Sequence, residues 1–460
     1  MSSSGWSEID ASNTTLKGSA ANDRFGFDVA LSSSGQRLAV ASQRTNSSRG
    51  SVQVYDLGSE STWSSVGSSF PPSTELDSGS RLSAIAMSAD GTRIVYGAAR
   101  HDFDSTNQCG HGKIGVYRYN SSSSSWVSVG SEEGEDQTNT SDREKLGTSV
   151  AISSDGTRIA VGAPNYKDFN PIDAHPSITS YSSAGRVLIF SVSDSALTQI
   201  GIQNGQRGRS NNEELGQSVG LSSDGTYMIA SSSNLSNGMT RIHKWNTSTS
   251  RYNQQIAIEG SNNSNLGFRC GINGDGDVAF TVSQTDAEIK IYTRGGTDGE
   301  TWTERSDTWP SSTEASWRTG ASNKLIRDVT FNSDGTVIAI TANDYNVQSK
   351  CFVYQYNSSN TTWELVDAEI NPMDDTNFGI SNNSVALSST GEYVAMGMPG
   401  AVVDATNNVG RSFVFQNSSL ASSSGESGGG ESGGGGGGGF IMIKNTGSFQ
   451  VAGTGAITVK

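Results

Sequence analysis

Between Leu146 and Pro164 the chain alternates. Val150 and Ile152 stand among small polar neighbours, Asp155-Gly156 interrupts, and Ile159 and Val161 resume the period. Alternation on both sides of an Asp-Gly pair predicts two antiparallel strands joined by a tight hairpin, because Gly accepts the positive φ such turns need. The block recurs seven times, around Gly35, Gly91, Gly156, Gly225, Gly276, Gly335 and Gly391, at spacings of 56, 65, 69, 51, 59 and 56 residues. Asp precedes the Gly in the five inner copies, Ser34 in the first and Thr390 in the last. These aspartates read as turn formers rather than as ligands.

A third apolar strand follows each block, for example Val52 to Tyr55, Ile114 to Tyr117, Val187 to Phe190 and Phe413 to Phe415. A polar turn then leads to a fourth strand, headed by Trp63, Trp126, Leu197, Tyr252, Trp302 or Trp363. Four antiparallel strands per unit, repeated seven times, predict an all-β fold: a seven-bladed β-propeller whose blades bury their faces against their neighbours. The seventh unit stops after its third strand, whereas an aromatic-headed strand, Trp6 to Ile9, precedes the first unit. Pairing the two would complete the last blade and remove a free sheet edge. The expected domains are the propeller over 1–419, a Ser/Gly-rich linker over 420–439 and a C-terminal β segment over 440–460.

Composition agrees with a turn-rich β protein. Gly numbers 55 of 460 residues, and charged side chains make up 17%. The net charge of −15 repels phosphate backbones, so nucleic acid is excluded as a partner. Met1 to Trp6 lacks the basic start and apolar core of a secretion signal, and no run of about 18 apolar residues occurs, so no membrane insertion is expected. Cys109, Cys270 and Cys351 are too few and too scattered for a disulfide framework.

Phe25-Gly26 and Phe378-Gly379 ahead of the first strands, with Gly162-Ala163-Pro164 and Gly397-Met398-Pro399 after the second, resemble the FG-GAP repeat of integrin α-subunit propellers. The looser Ser-x-Asp-Gly-Thr-Arg-Ile pattern is similar to repeat proteins of marine phages, large algal viruses and diatoms. The resemblance covers about residues 6 to 416. It implies a propeller and says little about activity. Integrin-type blades often bind calcium in the first hairpin through several carboxylates. Here Ser153 and Arg158 stand where two of those would be, so no calcium and no other cofactor is expected.

Catalytic chemistry is sparsely supplied. Four histidines, His101, His111, His175 and His243, give few acid/base candidates, and neither an arginine cluster nor a Tyr/Glu pair suited to glycoside hydrolysis is visible in the sequence. The chain is therefore expected not to be an enzyme. One loop holds His101, Asp104, Cys109 and His111, donor types that could bind zinc.

The turns between strands one and two and between three and four are short and monotonous, whereas the remaining loops, which share the opposite face of a propeller, are long and individual. Recognition is expected on that face. Tyr166, Phe169, His175, Tyr181, Trp309 and Trp317 are the aromatic candidates for sugar or protein contact. After Phe415 a Ser/Gly run ends in seven glycines, a flexible tether. Beyond it Phe440, Ile441, Ile443, Phe449, Val451, Ile457 and Val459 form short apolar segments, too few for a core of their own, which must pair with another surface. The expected role is a non-enzymatic structural or binding protein: a virion surface, capsid-associated or tail-fibre component. Its tail would anchor it to other subunits, and its loop face would meet a host glycan or receptor. The alternative is a microalgal adhesion or scaffold propeller at the cell surface.

Overall fold

The computed structural model describes residues 5–10, 15–101, 110–135, 143–169, 180–202, 205–233, 237–261, 263–297, 299–307, 309, 324–344, 349–372, 383–403 and 406–421. The C-terminal anchor residues Phe440 to Val459 lie outside them.

After a short β1 (Ser7–Glu8), the first blade comprises β2 (Phe25–Leu31), β3 (Arg37–Ser42), β4 (Ser51–Leu57) and β5 (Trp63–Ser65). The second has β6 (Ala84–Met87), β7 (Arg93–Ala98), β8 (Lys113–Asn120) and β9 (Ser125–Glu133). The third has β10 (Ser149–Ile152), β11 (Arg158–Ala163), β12 (Arg186–Val192) and β13 (Leu197–Ile200), with the short β14 (Gln206–Arg207) also on β12. The fourth runs β15 (Ser218–Leu221), β16 (Tyr227–Ser232), β17 (Met239–Asn246) and β18 (Arg251–Glu259). The fifth runs β19 (Leu266–Ile272), β20 (Val278–Ser283), β21 (Glu288–Gly295) and β22 (Thr301–Glu304). The sixth runs β23 (Lys324–Phe331), β24 (Val337–Asp344), β25 (Ser349–Asn357) and β26 (Thr362–Leu365). The last contributes β27 (Ser384–Leu387), β28 (Tyr393–Met398) and β29 (Arg411–Gln416). All are antiparallel meanders, and among the described residues helix is confined to single turns. In the last blade β1 supplies the outer strand, with Ser7 opposite Gln416 and Glu8 opposite Phe415.

Seven core clusters fill the seven interfaces between neighbouring blades. Val52 and Val54 of the first blade meet Ile94 and Tyr96 of the second. Tyr393 and Val414 of the last meet Leu38 and Val40 of the first. The aromatic residue heading a fourth strand packs toward the preceding blade: Trp126 is buried and donates its indole N–H to the Val66 carbonyl at 3.0 Å. Glycines permit the close approach between blades. A Cβ on Gly162 would lie 2.0 Å from the Gly216 carbonyl oxygen, and one on Gly397 would lie 2.1 Å from that of Gly26. The Gly-Ala-Pro and Phe-Gly signatures are thus two sides of one backbone contact.

A belt of backbone hydrogen bonds closes the ring near the hairpin turns. Ser33 donates to Ala89, Ala89 to Ser154, Ser154 to Ser223, Ser223 to Gly274, Gly274 to Ser333, Ser333 to Ser389, and Ser389 back to Ser33, at 2.7 to 3.1 Å. Each belongs to a different blade and stands two residues before the turn glycine.

Candidate functional site

The belt surrounds one end of the axial channel. Toward the opposite face, that of the long loops, the innermost strands enclose a cavity of about 560 Å3. The repeat puts one residue per blade at a given level, so the position seven before the turn glycine can be followed around the wall: Asp28, Ala84, Ser149, Ser218, Arg269, Asp328 and Ser384. Three of the seven are charged, and the next channel-facing level carries small residues such as Ala86 and Ala151, or Gly220 and Gly271, against which Ile229 and Phe280 pack.

In three blades the position staples the next blade. Asp28 accepts the N–H of Ile85, in the next blade, at 2.8 Å, and Asp328 accepts that of Val385 at 3.1 Å. Ser218 does the same for Cys270 at 3.2 Å, which shows that a hydroxyl suffices for the staple. The carboxylates therefore bring something the staple does not require: charge on the cavity wall. Arg269 answers Asp328 across 3.0 Å, and its side chain retains 31% exposure against 21% for Asp328.

Enclosure by protein drives the Asp28 carboxyl up to about 7, with the Asp328 charge adding to the effect. Enclosure raises Asp328 too, opposed by the Arg269 guanidinium. The wall thus holds a carboxyl that titrates near pH 7, a second carboxyl raised by enclosure, and a guanidinium. Such a set can accept from and donate to hydroxyls, and Asp28 can exchange a proton near pH 7. Sequence reading missed all three residues, because each stands alone in its repeat. Superposing the seven copies on their turn glycines would have singled them out.

The residues proposed from sequence are dispersed. Tyr166 is buried at 4% exposure beneath the Arg186 guanidinium, 4.1 Å above its ring. Phe169 is exposed, with the Lys167 ammonium 5.0 Å from its ring centre. Tyr181 pairs through its backbone with Asp168. Trp309 stacks on Trp363 at 5.3 Å and so presents a ring face to the core. His175 and Trp317 lie outside the described residues, as do Asp104 and Cys109 of the zinc candidate. Of its other members, His101 meets the Ser80 hydroxyl at 3.1 Å, and His111 meets the Glu135 carbonyl at 3.1 Å. Burial, with Lys113 nearby, lowers the His101 pKa. Among the described residues no group of three or more His, Cys, Asp or Glu side chains is placed to hold a metal ion.

No protein-family model matches the chain, and no curated protein matches its sequence. Solved structures do share its architecture. The β-propeller domain of Cps50 (Swd1) from Myceliophteria thermophila aligns with a TM-score of 0.54 and 9% identity, over 88% of this chain and 98% of that one. A putative 6-phosphogluconolactonase from Bacteroides uniformis aligns with a TM-score of 0.51 and 13% identity, over 80% and 93%. At such identities the likeness is one of fold. These matches support the propeller and bring neither the FG-GAP family nor a viral or algal origin. They also correct one expectation. Scarce histidine and the lack of a glycosidase-type cluster in the sequence predict a non-enzyme, yet the same architecture is carried by a protein described as a putative lactonase. The scaffold gives no ground for excluding catalysis, and the channel holds carboxylates that the histidine count overlooked.

Proposed function

We propose that this chain is a binding propeller that takes a hydroxyl-rich ligand, in the simplest case the end of a glycan, into the long-loop mouth of its axial channel. The observation that carries the reading is the set of Asp28, Arg269 and Asp328 facing one cavity at one level of the repeat. A volume of about 560 Å3 is that of a small-molecule site. Neighbouring sugar hydroxyls would donate to the Asp328 carboxylate while Arg269 donates to a ring or hydroxyl oxygen. A glycan array probed with the full-length protein, followed by calorimetry on the best hit, tests the reading. Arg269→Gln and Asp328→Asn should each weaken binding at least tenfold. Absence of any glycan signal, or equal binding by both variants, would end it.

The setting belongs to the same proposal. The segment carrying Phe440, Ile441, Ile443, Phe449, Val451, Ile457 and Val459 would mount the propeller on a larger assembly, a virion surface in the reading that the repeat's resemblance suggests. Mass spectrometry of purified particles, with and without residues 440–460, tests that attachment. Full incorporation of the truncated chain would refute it.

A further inference from the structure

Apart from the channel, the repeat assembles a second group of charges at the junction of the first two blades. Arg24 and Arg81 are counterparts. Each immediately precedes the buried apolar residue that leads into its blade, Phe25 or Leu82, and each has a left-handed backbone, with φ of 54° and 56°. The next blades place Lys145, Glu214 and Asn265 there, with the same sign of φ. Arg44 and Arg100 are counterparts as well, each nine residues beyond its turn glycine and just past the second strand, where later blades have Asn165, Thr285 and Gly400. Only the first two blades carry arginine at both positions, and they are neighbours.

The backbone ties Arg24, Arg44 and Arg81 together, and Arg100, on the counterpart position of the second blade, is close enough to act on Arg44 and Arg81 through its charge. Arg44 N–H donates to the Asp23 carbonyl at 3.1 Å, Gln43 N–H to Arg24 at 3.4 Å, Ser48 N–H to Arg44 at 3.0 Å and Arg81 N–H to Ser48 at 3.1 Å. Arg49 fastens the intervening turn through its Nε bond to the Leu76 carbonyl at 2.8 Å. Several arginines elsewhere are matched with acids: Arg37 with Asp56, Arg186 with Glu144, Arg207 with Asp168, Arg241 with Glu213. Here, among the described residues, no ion pair engages any of the four. The Asp23 carboxylate, next to Arg24, is occupied by the Ser19 and Ala20 N–H groups and the Ser19 hydroxyl. Arg24 donates to the neutral Gln43 side chain at 3.0 Å. The Nε atoms of Arg44 and Arg81 are buried and have no hydrogen-bond partner.

The electrostatics agree. Burial lowers the pKa of Arg24, Arg44 and Arg81, and the further causes are each other and Arg100. Gathering guanidinium groups with no counter-charge among the described residues, in a chain whose net charge is −15, works against stability. Such a cost is ordinary at a site completed by a ligand.

We propose that Arg24, Arg44, Arg81 and Arg100 bind a compact oxyanion, the phosphate or sulfate ester group of a small ligand, at the junction of the first and second blades. Guanidinium forks match the paired oxygens of such groups. The surrounding acidity of the chain disfavours a long polyanion and leaves a single local charge as the fitting partner. The inference does not depend on the channel reading.

The test uses the full chain and inorganic sulfate and phosphate, with sodium chloride at matched ionic strength as the reference. Saturable stabilisation of thermal unfolding beyond chloride is expected. Arg44→Gln/Arg81→Gln should abolish it while leaving the ligand-free melting temperature unchanged or raised, because the replacement relieves repulsion. The exposed Arg100→Gln, which threatens the fold least, should weaken the anion at least threefold. Glucose 6-phosphate and glucose 6-sulfate, each tested as a competitor, distinguish the two ester sources. No stabilisation beyond chloride, equal stabilisation of the double variant, a clearly lower ligand-free melting temperature in that variant, or displacement by neither ester would each overturn the proposal.

Discussion

The Arg158 guanidinium donates to the Gly225 carbonyl at 2.9 Å, tying the hairpin turn of the fourth blade to the third. Arg37 reaches Gly91 at 3.1 Å and Arg93 reaches Asp155 at 3.2 Å in the same way. The recurrent Asp-Gly-Thr-Arg therefore encodes a turn and also the link to the following turn. Arg158 further lies 4.6 Å over the Trp245 ring. Arg158→Ala should cost about 1–2 kcal/mol, a few degrees of melting temperature, for a lost hydrogen bond and ring contact. Arg158→Lys should recover only part of it, since an ammonium cannot span both contacts. Thermal unfolding of both variants measures this, and an unchanged Arg158→Ala protein would show the tie to be idle.

The same turns predict indifference to calcium. The Asp155 carboxylate already accepts from the Ser153 hydroxyl at 2.7 Å, the Thr157 N–H at 2.9 Å and the Thr157 hydroxyl at 2.8 Å. Burial pushes its pKa up, but these bonds outweigh burial and leave it below the usual carboxylate value. A six- to eight-oxygen shell would have to displace those donors with no neighbouring acid to help. Melting curves in millimolar calcium and in chelator should coincide. Stabilisation by calcium at constant ionic strength would restore the integrin-like reading of these loops.

The blades were legible in the sequence because their physics is local and repeated. Alternation, an Asp-Gly turn and an aromatic head for the fourth strand recur seven times, so one copy checks another. The sites resisted the same reading because they depend on what differs between copies. Asp28, Arg269 and Asp328 lie about 60 to 300 residues from one another in sequence and meet only when the ring closes. Arg24 and Arg81 look like ordinary surface residues until their equivalence is seen. Aromatic richness, by contrast, misled: Tyr166 and Trp309 attract attention in a loop, and the structure uses both rings in packing.

Deleting residues 1–10 should lower the melting temperature by about 5–15 °C. The segment buries Ile9, whose N–H donates to Val414 at 2.8 Å, and Trp6 donates its indole N–H to Val366 at 3.0 Å. Losing two such side chains at about 1.5–3 kcal/mol each, and exposing the edge of β29, accounts for that range. A truncated protein with the parent melting temperature would mean that the closing strand contributes nothing.

Two carboxylates on Arg186 should differ sharply on removal. Glu144 is fully buried and pairs with Arg186 at 2.6 Å, whereas Glu135, at 2.9 Å, has 55% of its side chain exposed. Glu144→Gln leaves a guanidinium of 2% exposure with its buried partner neutral, a loss of about 3–5 kcal/mol. Glu135→Gln should cost under about 1 kcal/mol. Denaturant unfolding of the two variants, compared at one pH, gives the ratio. Equal costs would place the stabilisation in packing rather than in charge.

Asp28 gives the pH dependence its sign. Its folded-state pKa, about 7, lies above the usual 3.8, so the folded protein holds a proton that the unfolded chain has already released. Stability from this group is therefore complete below pH 4, is lost as pH rises through the window up to 7, and levels off above it. The slope is at most about 1.4 kcal/mol per pH unit. Asp28→Asn imitates the protonated acid and keeps an acceptor for the Ile85 N–H. The variant should match the parent near pH 4 and exceed it at pH 8. Asp328 shifts in the same direction and its charge acts on Asp28, so the difference between the two curves reports Asp28 together with its coupling to Asp328. Unfolding midpoints from pH 4 to 8 measure it, and parallel curves would show that Asp28 is ionised throughout. The charged wall of the channel would then carry two full carboxylates against Arg269, and ligand binding there would lose its dependence on pH near neutrality.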